Sequence, residues 1–116
     1  MNEIEKMYKN AEIELIVRDN AIGRGYYIEH QRVEEYPPFT AEKQLELIKF
    51  LMEQEDFSWT IVRRGKNTEY TFYVGYEYSS GGFKEFTEAL AGLINNLWQD
   101  LTEKERKQVK EILEWI

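Results

Sequence analysis

At 116 residues, with a formal charge of −7 and 42% apolar residues, the chain has the size and composition of one folded domain, 1–116. It holds no cysteine and a single histidine, His30, which excludes disulfides, zinc clusters, thiolate nucleophiles and histidine-based triads. Its negative charge disfavours binding to DNA or RNA, and no apolar run approaches the roughly 20 residues that span a bilayer.

The N-terminal "MNEIEKMYKN" is too polar for a signal peptide, so the expected location is cytoplasmic. Ile4, Met7, Tyr8 and Ala11 recur at helical spacing and predict a short amphipathic helix. "AEIELIVRD" alternates as a strand, Asn20, Gly23 and Gly25 supply turn residues, and "GYYIEHQRV" reads as the returning strand. Pro37 and Pro38 end that hairpin, since neither can donate to a ladder.

Thr40 follows as a candidate N-cap, with Phe39 as a staple before it and Glu42 in the first turn. A helix from Thr40 to Glu53 is expected, with Ala41, Leu45, Ile48, Leu51 and Met52 as its apolar stripe. "FSWTIVRRGKNTEYTFYVGYEY" predicts a second hairpin turning at Gly65, Lys66 and Asn67. Its return strand puts Tyr70, Phe72, Val74, Tyr76 and Tyr78 on one aromatic face that needs a cover.

The C-terminal third supplies that cover in two helices. Phe83, Phe86, Leu90, Leu93, Ile94 and Leu97 form one stripe, and Thr102 with Glu105 forms a capping box for the other. Val109, Ile112, Leu113 and Ile116 give the last helix its own apolar face, flanked by Trp98 and Trp115. The expected fold is therefore α+β: two antiparallel hairpins, one intervening helix and two C-terminal helices. Two such helices carry more apolar face than one four-stranded sheet needs, which points to a homo-oligomer through them.

Catalytic signatures are missing. The carboxylates Glu34, Glu35, Glu53, Glu55 and Asp56 sit in charge-rich segments typical of solvated faces, and no HExxH, DxDxDG or GxSxG pattern occurs. Neither a metal nor a cofactor is expected. Arg63, Arg64 and Lys66 instead concentrate positive charge at one hairpin tip, with Arg24 in the other long loop. Together with the aromatic rings these are the parts of a small nucleotide pocket, arginines for phosphates and rings for bases; a basic turn over an aromatic core has the same parts. "SSGGF", Ser79 to Phe83, would offer backbone donors to an anion through Ser80 and Gly82 if it opens a helix, or would simply let the chain turn there.

The segments "YPPFTAEKQLELIKFL" and "EALAGLINNLWQDLTEKERKQVKEIL" resemble those of small proteins from temperate phages of Gram-positive bacteria. In size, strand-rich front and paired C-terminal helices the chain also resembles the Thoeris anti-defence sponges, which sequester cyclic ADP-ribose isomers without cleaving them. That resemblance implies a non-enzymatic protein of the host bacterial cytoplasm that binds a small cyclic nucleotide. It also implies a ligand-contacting aromatic and an asparagine ten residues apart, a spacing matched by Phe86 and Asn96, with Phe83 a second candidate for stacking. On one straight helix those two side chains stand about 80° apart at 3.6 residues per turn, so they share a pocket only with help from elsewhere. The rival expectation is an acidic protein–protein inhibitor of a bacterial defence complex, of anti-CRISPR type.

Overall fold

The computed structural model describes residues 2–11 and 36–114. The expected first hairpin, with Arg24 and His30, lies outside the described residues, as does Trp115. The remainder is α+β, four helices with a three-stranded antiparallel sheet.

Helix α1 covers 3–11 and buries the residues its spacing singled out, Met7, Tyr8 and Ala11, with Ile4 partly covered. Asn2 caps it, its Oδ1 accepting from the Glu5 N–H at 2.8 Å. Helix α2, Ala41–Met52, starts where expected: the Thr40 hydroxyl accepts from the Lys43 N–H at 3.3 Å, and Phe39 packs on the core. Its buried stripe differs from the expected one. Lys43, Leu47, Phe50 and Leu51 face inward, whereas Leu45 and Met52 are exposed. At about 100° per residue Leu45 and Met52 stand on the side of the helix opposite Leu47 and Phe50.

Strands β1, Phe57–Arg64, and β2, Asn67–Val74, form the second hairpin in the register Arg64↔Asn67 to Phe57↔Val74. The turn is two residues, not three. Gly65 takes φ 63° at the first central position, as a type II′ turn requires, and Asn67 already belongs to β2. The return strand is also shorter than expected. Gly75, at φ 60°, breaks it, Tyr76 stands fully in solvent, and a separate β3, Tyr78–Ser79, pairs back on β2.

Helix α3, Phe86–Leu97, lies at the centre of the molecule and buries Ala89 to Ile94 without a break, then Leu97. Full burial of Leu90, Leu93 and Ile94 contributes about 1.5–3 kcal/mol each before entropy is counted. It packs on β2 and β3 on one side, while Asn95 ties it to α1 through bonds to the Glu3 carbonyl and carboxylate and to Asn10. Gly92 admits the Phe83 ring, which a Cβ there would meet at 3.1 Å.

A short 3-10 turn, Trp98–Asp100, leads to α4, Glu103–Leu113, whose capping box is complete: Thr102 Oγ1 accepts from the Glu105 N–H at 3.1 Å and Glu105 accepts from the Thr102 N–H at 2.9 Å. The expected aromatic cover is thus supplied by α3, whereas α4 lies on α2. Val109 and Leu113 of α4 are fully buried within the chain and Ile112 packs partly on the core, so among the described residues of α4 these three are turned to the core.

Candidate functional site

Antiparallel partners share a sheet face. Phe57, Trp59, Ile61 and Arg63 therefore lie with Val74, Phe72, Tyr70 and Thr68, while Ser58, Thr60, Val62 and Arg64 lie with Tyr73, Thr71, Glu69 and Asn67. The first of these faces meets α3, but only over β2. The Phe86 ring stands edge-on to Phe72 and Tyr70, with centroids 5.2 and 5.8 Å apart, and Phe57 stacks on Phe72 at 6.1 Å. Beyond that contact the cover ends. Trp59 is 49% and Ile61 57% exposed, and on the other face Val62 is 40% exposed.

Trp59 is held by ring edges, 5.7 Å from both Phe57 and Phe72. With Met52, Gln54, Asp56, Phe57 and Ser58 it lines an open cleft of about 440 Å³ where α2 runs into β1. Its volume falls in the small-molecule range of about 300–1,000 Å³. Its lining combines the aromatic residues Phe57 and Trp59 with the polar residues Gln54, Asp56 and Ser58. Asp56 reaches its place in a left-handed conformation, φ 58°, and its carbonyl accepts from the Gly75 N–H at 3.0 Å.

The expected site residues disperse around this hairpin. Arg63 and Arg64 are exposed near its tip, on opposite faces. Arg64 shares an indentation of only about 110 Å³ with Val62, Asn67 and Glu69, too small for a nucleotide. Arg63 is on the Trp59 face, four residues along the strand, or about 13 Å at 3.3 Å per residue.

"SSGGF" does not open a helix; it continues the third strand along β2, and Lys84 and Glu85 intervene before α3. Ser80 N–H donates to the Phe72 carbonyl at 2.9 Å, and Tyr70 and Phe83 exchange both ladder bonds at 2.7 and 3.0 Å. One extra residue is fitted between these pairings, a β-bulge at Gly81–Gly82. The bulge carries the Ser80 carbonyl out of register. Ser80 Oγ replaces it, accepting from the Phe72 N–H at 2.9 Å and donating to the Gly81 carbonyl at 2.7 Å. The N–H groups of Ser80, Gly81 and Phe83 are thus engaged within the fold. Gly82 lies beside Glu69, whose carboxylate a Cβ there would strike.

Phe83 and Phe86 both pack on the core, and the Asn96 amide donates to the Ser79 carbonyl at 2.6 Å. Ser80, Phe83, Phe86 and Asn96 are therefore brought together, as the joint between the third strand and α3; Arg63 and Arg64 stand apart from them. Trp59 is among the hairpin rings the sequence offered for a base, whereas Gln54, in the segment before β1, gave no signal; alternation gave Trp59 a face but not the place where its cover stops.

Two further features bear on recognition. Between α2 and α4 runs an acidic groove of about 540 Å³ that includes Glu46, Glu53, Glu111 and Glu114, with Lys49 as its cation. Among the described residues no cluster of three His, Asp or Glu could hold a metal ion, and no helix is long and apolar enough to cross a membrane. Tyr78 donates to Asp100 at 2.5 Å, and that bond raises its phenol above the ordinary value. No protein family, curated protein or solved structure matches the chain.

Proposed function

We propose that the protein is a non-enzymatic binding protein that sequesters a small cyclic nucleotide, the kind of signal a phage anti-defence protein of the resembled family removes. The observation that carries the reading is Trp59: a half-exposed indole in a cleft of nucleotide size, on the same strand face as an exposed arginine. A base stacked on Trp59 gains about 1–3 kcal/mol. The Gln54 amide and Asp56 carboxylate offer hydrogen bonds to base edge or ribose, and Arg63 reaches back along the face towards the phosphates. Arg63, not Arg64, is the cation this geometry favours.

Calorimetry with cyclic ADP-ribose isomers and cyclic dinucleotides tests the reading, with indole fluorescence as a second readout. Binding of one of them is expected, with the ligand recovered intact after heat denaturation. Arg63→Ala should weaken binding roughly tenfold to a hundredfold, the range for a charge-assisted contact of about 1.5–3 kcal/mol. Silence across that panel defeats the proposal.

The acidic groove between α2 and α4 favours a second reading, inhibition of a basic protein surface. In that case Glu53→Lys and Glu111→Lys abolish inhibition, and Trp59→Ala and Arg63→Ala leave it intact.

A further inference from the structure

Every residue of β1 from Ser58 to Arg64 is exposed, and β2 is its neighbour in the described sheet. Arg64 and Asn67 flank a two-residue turn, and the Asp56 carbonyl accepts from Gly75. Both facts assign the even-numbered residues to the β2 ladder. The N–H and C=O groups of Phe57, Trp59, Ile61 and Arg63 therefore point outward along an edge that no other described strand covers. Natural edges are guarded by charge, proline or a bulge. This one runs through Ser58, Trp59, Thr60, Ile61 and Val62 with none of these.

We propose that β1 pairs antiparallel with β1 of a second copy about a two-fold axis at Thr60, joining the two sheets into one of six strands. The register follows from side-chain complementarity. With Thr60 opposite Thr60 of the second copy, Trp59 lies opposite Ile61 twice, uniting the exposed apolar side chains of that face. Phe57 lies opposite Arg63, ring against guanidinium, and Asp56 lies opposite Arg64, carboxylate against cation. All four outward-facing residues of each strand are paired. A slip of two residues in either direction sets Trp59 or Ile61 against itself and takes an end residue beyond the partner strand. The basic tips point away from each other, which keeps their charges apart. In this register Ile61, Arg63 and Arg64 of the second copy lie beside Trp59, Phe57 and Asp56, so the partner strand runs along the rim of the Trp59 cleft. This dimer rests on the hairpin alone and not on the nucleotide reading.

Cysteine cross-linking reads the register directly, because the chain has no cysteine of its own. Opposed residues of a non-hydrogen-bonded pair have Cα atoms about 4.5 Å apart, within the range a disulfide spans. Under mild oxidation Thr60→Cys should form a covalent dimer, and Ile61→Cys, a full step from its counterpart, should do so roughly tenfold less. By light scattering the wild-type protein should have the mass of two chains. Thr60→Lys, which sets like charges face to face at an exposed position, should have the mass of one with an unchanged circular dichroism spectrum. A wild-type mass of one chain overturns the proposal. So does a dimer that survives Thr60→Lys and fails to cross-link through Thr60→Cys.

Discussion

Ser80 and Asn96 show how a side chain's chemistry is fixed by its bonds more than by its type. Both are polar, both were expected to face a ligand, and both are bonded to backbone at the joint between the third strand and α3. They differ in burial. Ser80 is 7% exposed and is the acceptor for the Phe72 N–H, itself beside one of the most deeply buried rings. Asn96 is exposed, so water can replace its bond to Ser79. Ser80→Ala leaves a buried donor unpaired and should lower stability by about 1–3 kcal/mol, whereas Asn96→Ala should cost below about 1 kcal/mol. Urea denaturation of the two variants checks the order, and equal losses would contradict it. None of this was legible in "SSGGF", because a bulge is a relation between two strands. The glycines suggested a turn, and only the pairing of Phe83 with Tyr70 shows that one residue is extra.

At the level of elements, the local signals were the legible ones. Thr40 and the Thr102–Glu105 box act within one turn of chain, so spacing alone located the starts of α2 and α4. The partners of those helices were not legible, since the apolar faces of α4 and α3 suit a sheet or another helix equally well. Glu105 links the two levels. Its carboxylate accepts first from the Thr102 N–H and then from the Gln54 side chain at 2.9 Å, which connects α4 to the segment leading into β1. Those bonds, the Thr102 N–H foremost, hold its carboxyl below the ordinary glutamate value. A lowered folded pKa gives stability that is present above the unfolded pKa and is lost as pH falls through the folded one. Glu105→Ala should therefore be less stable than wild type at pH 7, with the gap closing towards pH 3. Thr102→Ala, which removes a neutral hydroxyl cap, should cost about 1 kcal/mol and keep a larger share of its gap in acid. Melting temperatures of both variants across that range make the comparison, and a gap for Glu105→Ala that is constant with pH would refute it.

For the whole molecule, the decisive feature is that α3 is buried nearly all round while β1 is exposed nearly throughout. Composition could not show this division, because the aromatic residues are shared between the two regions. Phe72 and Tyr8 lie in the core, and Trp59 and Tyr76 face solvent. Tyr8 is where the core can be tested as a unit. It is fully buried on α1, stacks on Tyr36 with ring centroids 5.2 Å apart, and belongs to the same apolar cluster as α2, α3 and α4. Burial first, and the Glu114 carboxylate second, push its phenol up to about 12. The protonated ring is thus favoured in the folded chain over the unfolded one, where it ionises near 10. Its contribution is complete below that value and disappears as pH rises to about 12. Wild type and Tyr8→Phe should therefore differ by a constant amount in urea midpoint up to about pH 9.5. Above it the wild-type midpoint should fall the faster of the two, because phenylalanine has no proton to lose. Lysine deprotonation acts on both chains alike and cancels in the difference. Parallel alkaline limbs would show that Tyr8 ionises without unfolding the core, and that α1 can leave while α2, α3 and α4 stay packed.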